Sequence, residues 1–313
     1  MLCIDSIKEK PSVMLSDDAI DCFIKNSATY FLTLKGNISK LSPNEALCAI
    51  SILTGFKDYF ASLSDWEHLT LQALDTLRKG IILSSFTKIA AFSGMSHVAF
   101  AIHKLSLKAP NINSFLKDTN RILLRNLTAY LKTSNTEEFL NKGNYEVIAG
   151  LSGPLRYLLN FDSEDMQEMA MKIVNSFIKR ASEKTIIGHS VTGWHYYPSA
   201  IEMSFMDYDT PNGYINYGLS HGMAGPLVAL SIAYSRGVRA NGLEDTINGI
   251  ANEFMKAIYY VDDIAYWPGR IKLEQYLKIE DIEYTAGQMS WCYGSVGILR
   301  AMFMCGTMTK NQK

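Results

Sequence analysis

The sequence predicts an all-α chain assembled from repeated helical hairpins, and three observations carry that expectation. Apolar residues recur with the helical period along most of the 313 residues. Alternating apolar and polar runs of the strand type are scarce. A Gly-x-x-Gly element also recurs at fixed spacing, as GLSG at Gly150, GMAG at Gly222 and GSVG at Gly294, so that successive copies stand 72 residues apart.

The elements follow in order. Asn44–Phe60 reads as a first helix without the glycines. GMSH at Gly94 is a degenerate copy of the repeat, with His97 in place of the second glycine. After GLSG, the stretch Ser163–Ile178 sets Met166, Met169, Ile173 and Phe177 on one helical face, with acids in the first turn. Short strands are expected only around Trp194–Tyr197 and Ile264–Trp267. GMAG opens the nearly uncharged run Gly222–Tyr234, which must be enclosed if it is helical. Leu243–Val261 is again one-sided and reads as a covering helix, and GSVG opens the last apolar run.

The repeating unit is therefore one apolar inner helix opening at Gly-x-x-Gly and one amphipathic outer helix. Such hairpins close into a solenoid or into a ring, an α/α toroid. In a ring the glycine-marked openings gather at one end of the central cavity, and a site belongs there. The whole chain, 1–313, reads as one such domain.

Bulk properties exclude several classes. A net charge of −1 and a pI of about 6.6, with Lys and Arg dispersed, argue against a nucleic-acid partner. The apolar windows are too short to span a bilayer, and MLCIDSIKEK lacks the pattern of a signal peptide. Five scattered cysteines point to a reduced, cytoplasmic protein.

The residues just ahead of the repeat openings carry chemistry. Glu146 stands four before Gly150, His221 one before Gly222, and Cys292 two before Gly294. Read as equivalent places in three repeats, they put a carboxylate, an imidazole and a thiol at one rim, where helix dipoles favour negative charge. Each has a structural reading as well: a first-turn cap, a hydrogen-bonded core histidine and a small buried hydrophobe. Their recurrence favours function. The carboxylates of FMDYD, Asp207 and Asp209, read as a solvated loop.

GLSG after an acid, GLSHGMAG and WCYGSVGI resemble the successive motifs of the lanthionine synthetase C-like (LanC) cyclases, from about Gly94 onward. TGWHYYPS and PNGYINYGLSHG resemble that family's connecting segments. The resemblance implies an α/α toroid of seven hairpins, of which about five are counted here, so the chain is expected to be C-terminally truncated relative to the family.

It further implies lanthipeptide (lantibiotic) biosynthesis: addition of a peptide cysteine thiol to dehydroalanine or dehydrobutyrine, giving a thioether, assisted by zinc. By resemblance Cys292 is a zinc ligand, His221 the acid–base residue, Glu146 its orienting carboxylate in the place of a family aspartate, and Tyr293 a donor to the developing enolate. The expected partners are a dehydrated ribosomal precursor peptide, together with its dehydratase and transporter.

The sequence departs from the pattern in three ways. The Cys-His pair that supplies further zinc ligands does not occur in these 313 residues. Gln288 stands where the family often has a basic residue, and Val296 where it has proline. Cys305, thirteen residues beyond Cys292, is a poor substitute ligand. A catalytic zinc needs three protein ligands, so weak or absent zinc binding is expected. The alternative is a non-catalytic module that binds the peptide or scaffolds the biosynthetic complex. Another toroid enzyme, a glycosidase or a prenyltransferase, ranks third.

Overall fold

The computed structural model describes residues 38, 40–55, 57–58, 66–83, 85–133, 144–197, 209–279, 281–282 and 287–309. They belong to two compact units, Met1–Ser85 and Phe86–Lys313. In the first unit, α1 (Pro43–Gly55) packs on α2 (Trp66–Ile82). A reciprocal cap starts α1: the Ser42 N–H donates to Glu45 Oε2 at 2.7 Å and the Glu45 N–H to Ser42 Oγ at 3.4 Å. The indole of Trp66 donates to the Leu53 carbonyl at 2.8 Å and ties the two helices.

The second unit is a helical double row. Its helices are α3 (Met95–Ser106), α4 (Asn113–Thr133), α5 (Ser152–Leu158), α6 (Glu164–Ala181), α7 (Ala224–Ser235), α8 (Leu243–Ala257), the one-turn α9 (Leu273–Tyr276) and α10 (Ser295–Thr309). Inner helices pack in the order α3, α5, α7, α10, and α4, α6 and α8 form the outer row behind them. Met166, Met169, Ile173 and Phe177 are the buried face of α6, as the period predicts.

Within the inner row, α7 is apolar all round and almost wholly buried, with Leu227, Leu230 and Ala233 inaccessible. Each leucine contributes about 1.5–3 kcal/mol by leaving water. Pro226 is tolerated because it lies in the first turn, where no intrahelical acceptor awaits its missing N–H. Gly237, at φ 88°, ends the helix, and Val238 N–H returns to the Ala233 carbonyl at 3.0 Å. By contrast α10 exposes Val296, Leu299 and Phe303.

More strands form than the sequence reading allowed. β1 (Lys184–Ile186) and β2 (His189–Val191) make one hairpin, and β5 (Tyr259–Val261) and β6 (Ile264–Tyr266) another. β3 (His195–Tyr196), β4 (Tyr214–Asn216) and β7 (Arg270–Lys272) form an antiparallel sheet in the order β3-β4-β7. The expected helix over Leu243–Val261 stops at Ala257, because the aromatic and β-branched run Tyr259–Val261 pairs with Ile264–Tyr266 instead. Among the described residues no helix is long and apolar enough to cross a membrane.

Candidate functional site

Each inner helix is entered by the same turn. The N–H that follows the first glycine reaches back seven residues, Met95 to Lys88 (2.8 Å), Leu151 to Asn144 (3.2 Å), Met223 to Asn216 (2.9 Å) and Ser295 to Gln288 (3.1 Å). The turn closes so tightly that a Cβ on Gly150 or Gly222 would stand 2.5 Å from the backbone nitrogen four residues back, and one on Gly294 closer still. Close backbone approach, and not helix flexibility, is what fixes these glycines. GMSH forms the same turn, and there the Ser93 N–H donates to the His97 Nδ1 at 3.3 Å, so His97 serves its own loop.

The turns are also laced to one another. Phe92 N–H donates to Ile148 O (3.1 Å), Val147 N–H to Ser220 O (3.1 Å), and Ser220 N–H to Cys292 O (3.2 Å). Gly150, Gly222 and Gly294 therefore lie along one rim, as the repeat required. The equivalence expected from the sequence does not hold. Glu146, His221 and Cys292 are not equivalent positions: the lacing aligns Ile148, Ser220 and Cys292, each two before its glycine. Glu146 and His221 meet because their loops are neighbours with different offsets.

At the rim the Nδ1 of His221 lies 2.9 Å from Glu146 Oε2. Glu146 is fully buried, and its carboxylate also accepts the N–H groups of Ile148 (2.8 Å) and Ala149 (2.5 Å). A buried carboxylate with three donors is fixed in position. It holds the proton of the imidazole on Nδ1, which leaves Nε2 as the basic nitrogen. The ring of Tyr293 stacks on His221 with 6.0 Å between centroids and 25° between planes. Burial holds the Tyr293 phenol above its ordinary pKa, so near neutral pH it remains a donor, and it hydrogen-bonds Ser220. The Tyr145 hydroxyl reaches the His221 carbonyl at 3.4 Å.

These groups open onto a cavity of about 800 Å³ lined by Glu146, His221 and Tyr293 together with a wall of tyrosines, Trp267 and Arg270. The sequence reading missed Trp267 and Arg270. Their signal was WPGR, a turn followed by a strand beside the His221 loop, but the pairing of β7 with β4 is long-range and leaves no local trace. Asp209, read as solvated, binds Arg270 at 2.6 Å. Asp207 lies outside the described residues.

Cys292 is half-buried in the turn before α10, its sulfur 3.6 Å from Ser290 Oγ, and its carbonyl is held by Ser220. The described residues contain no group of three His, Cys, Asp or Glu side chains able to hold a metal ion. Cys305 is buried ten residues into α10, where Ser231 and Thr309 hydrogen-bond it and burial raises its thiol pKa, so it does not join Cys292. The described side chains thus place no second and third ligand beside Cys292, where a catalytic zinc would need three.

Comparison with known proteins agrees with this architecture. The chain is similar to the nisin biosynthesis protein NisC of Lactococcus lactis subsp. lactis, 26% identical over 210 residues, which is 66% of this chain and 49% of that protein. It thus spans about half the length of the curated relative it matches. The solved structure of a nisin cyclase superposes with a TM-score of 0.74 at 19% identity, covering 93% of this chain and 72% of that one. That likeness establishes the fold class, the α/α toroid expected from the repeat. The family described as lanthionine synthetase C-like protein matches residues 50–313, most of the chain, and the chain belongs to that family.

Proposed function

We propose that this chain closes thioether rings in a dehydrated ribosomal precursor peptide, adding a cysteine thiol to dehydroalanine or dehydrobutyrine. The observation that carries the reading is the Glu146–His221 pair, stacked against Tyr293 at the edge of an aromatic cavity. His221 Nε2 takes the thiol proton. The sulfur bonds to Cβ of the dehydro residue, the π electrons move to the carbonyl oxygen as an enolate, and the proton is returned at Cα. Atoms and charge balance with no further reactant. Glu146 keeps the imidazole in the required tautomer and stabilises it when it is charged. Tyr293 donates to the oxygen on which charge gathers. The family resemblance implies zinc, for which Cys292 would be one ligand and which would lower the thiol pKa, but the described residues hold no group of three ligands around it.

The test is ring closure on a dehydrated precursor peptide, followed by loss of free thiol and by mass spectrometry after alkylation. His221→Ala is expected to slow closure by about 10²-fold or more. Closure at the unaltered rate in that variant refutes the assignment. The second reading, a module that binds peptide without cyclising it, is supported by the same aromatic cavity. It predicts saturable peptide binding with free thiols unchanged. A dehydratase and a transporter are the protein partners that either reading would entail.

A further inference from the structure

We propose that Arg270 is the cation that receives the acceptor residue's carbonyl in the cavity, an inference that rests on the ring-closing reading above. Thiolate addition to an α,β-unsaturated amide places negative charge on the carbonyl oxygen, and a site for it needs positive charge aimed there beforehand. Among the described residues, the charge-bearing side chains that line the cavity, besides phenols, are Glu146, His221 and Arg270. Glu146 brings no positive charge, and its oxygens are held by His221 and two backbone N–H groups. His221 must be neutral at Nε2 to take the thiol proton, so it brings no fixed charge to the start of the step. The guanidinium of Arg270 is cationic at any working pH and carries five donors in a rigid fork.

Its placement is built in. Arg270 opens β7 and is the register partner of Asn216 in β4, whose carbonyl closes the turn that carries His221. Gly269 beside it accepts the Tyr217 N–H at 3.0 Å, and a Cβ there would stand 3.6 Å from the Tyr293 carbonyl. The backbone of Arg270 is thus fixed to the strand that leads into the His221 turn, and the Tyr293 turn lies close beside Gly269. The side chain is oriented as well, with Asp209 Oδ2 2.6 Å from Nη2 and the Tyr214 ring 5.5 Å from the guanidinium carbon. Tyrosine and tryptophan walls lower the local dielectric, which strengthens a charge–dipole contact once peptide fills the cavity. Asp209 then acts as a positioning residue that sets the angle of the fork.

The experiment compares the unaltered chain with Arg270→Gln, Arg270→Lys and Asp209→Asn, measuring ring closure on a dehydrated precursor peptide and, separately, peptide Kd by Trp and Tyr fluorescence. Arg270→Gln should lower kcat by about 10²-fold and weaken Kd by about tenfold. Arg270→Lys, which keeps the charge and loses the fork, should fall between. Asp209→Asn should lose less than Arg270→Gln and show its loss in kcat more than in Kd. Closure by Arg270→Gln within threefold of the unaltered chain overturns the proposal while the ring-closing reading stands. If the unaltered chain binds peptide and closes no ring, the ring-closing reading fails and Kd decides. A tenfold weaker Kd in Arg270→Gln then keeps Arg270 as the carbonyl-binding group, and an equal Kd removes it.

Discussion

Helices α7 and α10 are both predominantly apolar and share the same entry turn, yet they live in different surroundings. α7 has α5 on one side, α10 on the other and α8 behind it, and Leu230 is inaccessible to solvent. α10 packs on α7 and α8, and its remaining face leaves Leu299 50% and Phe303 66% exposed. Composition alone says that both helices should be enclosed. What differs is the number of neighbours, which is a property of the row and not of the helix. The comparison separates two kinds of information in the repeat: the turn chemistry is local and identical in each copy, whereas burial depends on what stands beside it.

The largest expected effect tests burial directly. Leu230→Ala in α7 should cost about 3 kcal/mol, the transfer loss plus a cavity that close packing cannot refill. Leu299→Ala in α10, at a half-exposed position, should change stability by no more than about 0.5 kcal/mol. Urea unfolding with a common m-value reads both. Equal losses would mean that α10 is covered in solution, and the contrast between the helices would disappear.

A second pair of substitutions tests the shared turn. A Cβ at Gly222 would meet the Gly218 nitrogen at 2.5 Å, and one at Gly294 would press still closer on the Gln288 carbonyl. Both clashes are with backbone, which cannot swing aside. Gly222→Ala and Gly294→Ala should each cost about 2 kcal/mol by forcing the turn open, despite the difference in burial of the helices that follow. Gly249 is the control. It is exposed in the middle of α8 with nothing within 4 Å of where a Cβ would stand, so Gly249→Ala should stabilise by about 0.5–1 kcal/mol. A cost at Gly222 with none at Gly294 would show that the turns are alike in hydrogen bonding only.

These tests also mark what the sequence carried. The Gly-x-x-Gly period announced the inner row, because each copy must satisfy the same short-range sterics, and the 3.6 period announced the outer row through residues such as Met166 and Phe177. Glu146, His221 and Tyr293 were legible because they sit within four residues of a glycine that the fold pins in space. The offsets were misread as equivalence, since sequence shows distance along one loop and not the lacing between loops. Arg270 and Trp267 were invisible for a related reason: β7 reaches the site by pairing with β4, more than fifty residues earlier. Asp209 looked like an ordinary loop acid until Arg270 was beside it. The short strands were under-read because two- or three-residue pairings leave no periodicity to detect.

The smallest expected effect concerns that sheet, which props the entry to α7 and has no counterpart at α10 among the described residues. His195 in β3 is 1% exposed; its Nε2–H donates to the Asn212 carbonyl at 3.0 Å, and its Nδ1 has no hydrogen-bond partner. Burial depresses its pKa below the usual histidine value, and the Asn212 carbonyl and nearby Glu274 offset this only in part. A depressed folded-state pKa means that the unfolded chain binds the proton more readily, so the neutral buried ring is no burden above about pH 6.5 and stability falls as pH drops below it. The slope from one such group cannot exceed about 1.4 kcal/mol per pH unit. His97 and His103, shifted the same way by burial, add to the total and must be subtracted. His195→Gln, which can keep a donor to Asn212 without titrating, should flatten the stability profile between about pH 6.5 and 5 relative to the unaltered chain. Both proteins would be unfolded in urea at half-unit pH steps. Parallel profiles would place the acid sensitivity elsewhere and remove His195 as the feature that makes the α7 entry more pH-dependent than that of α10.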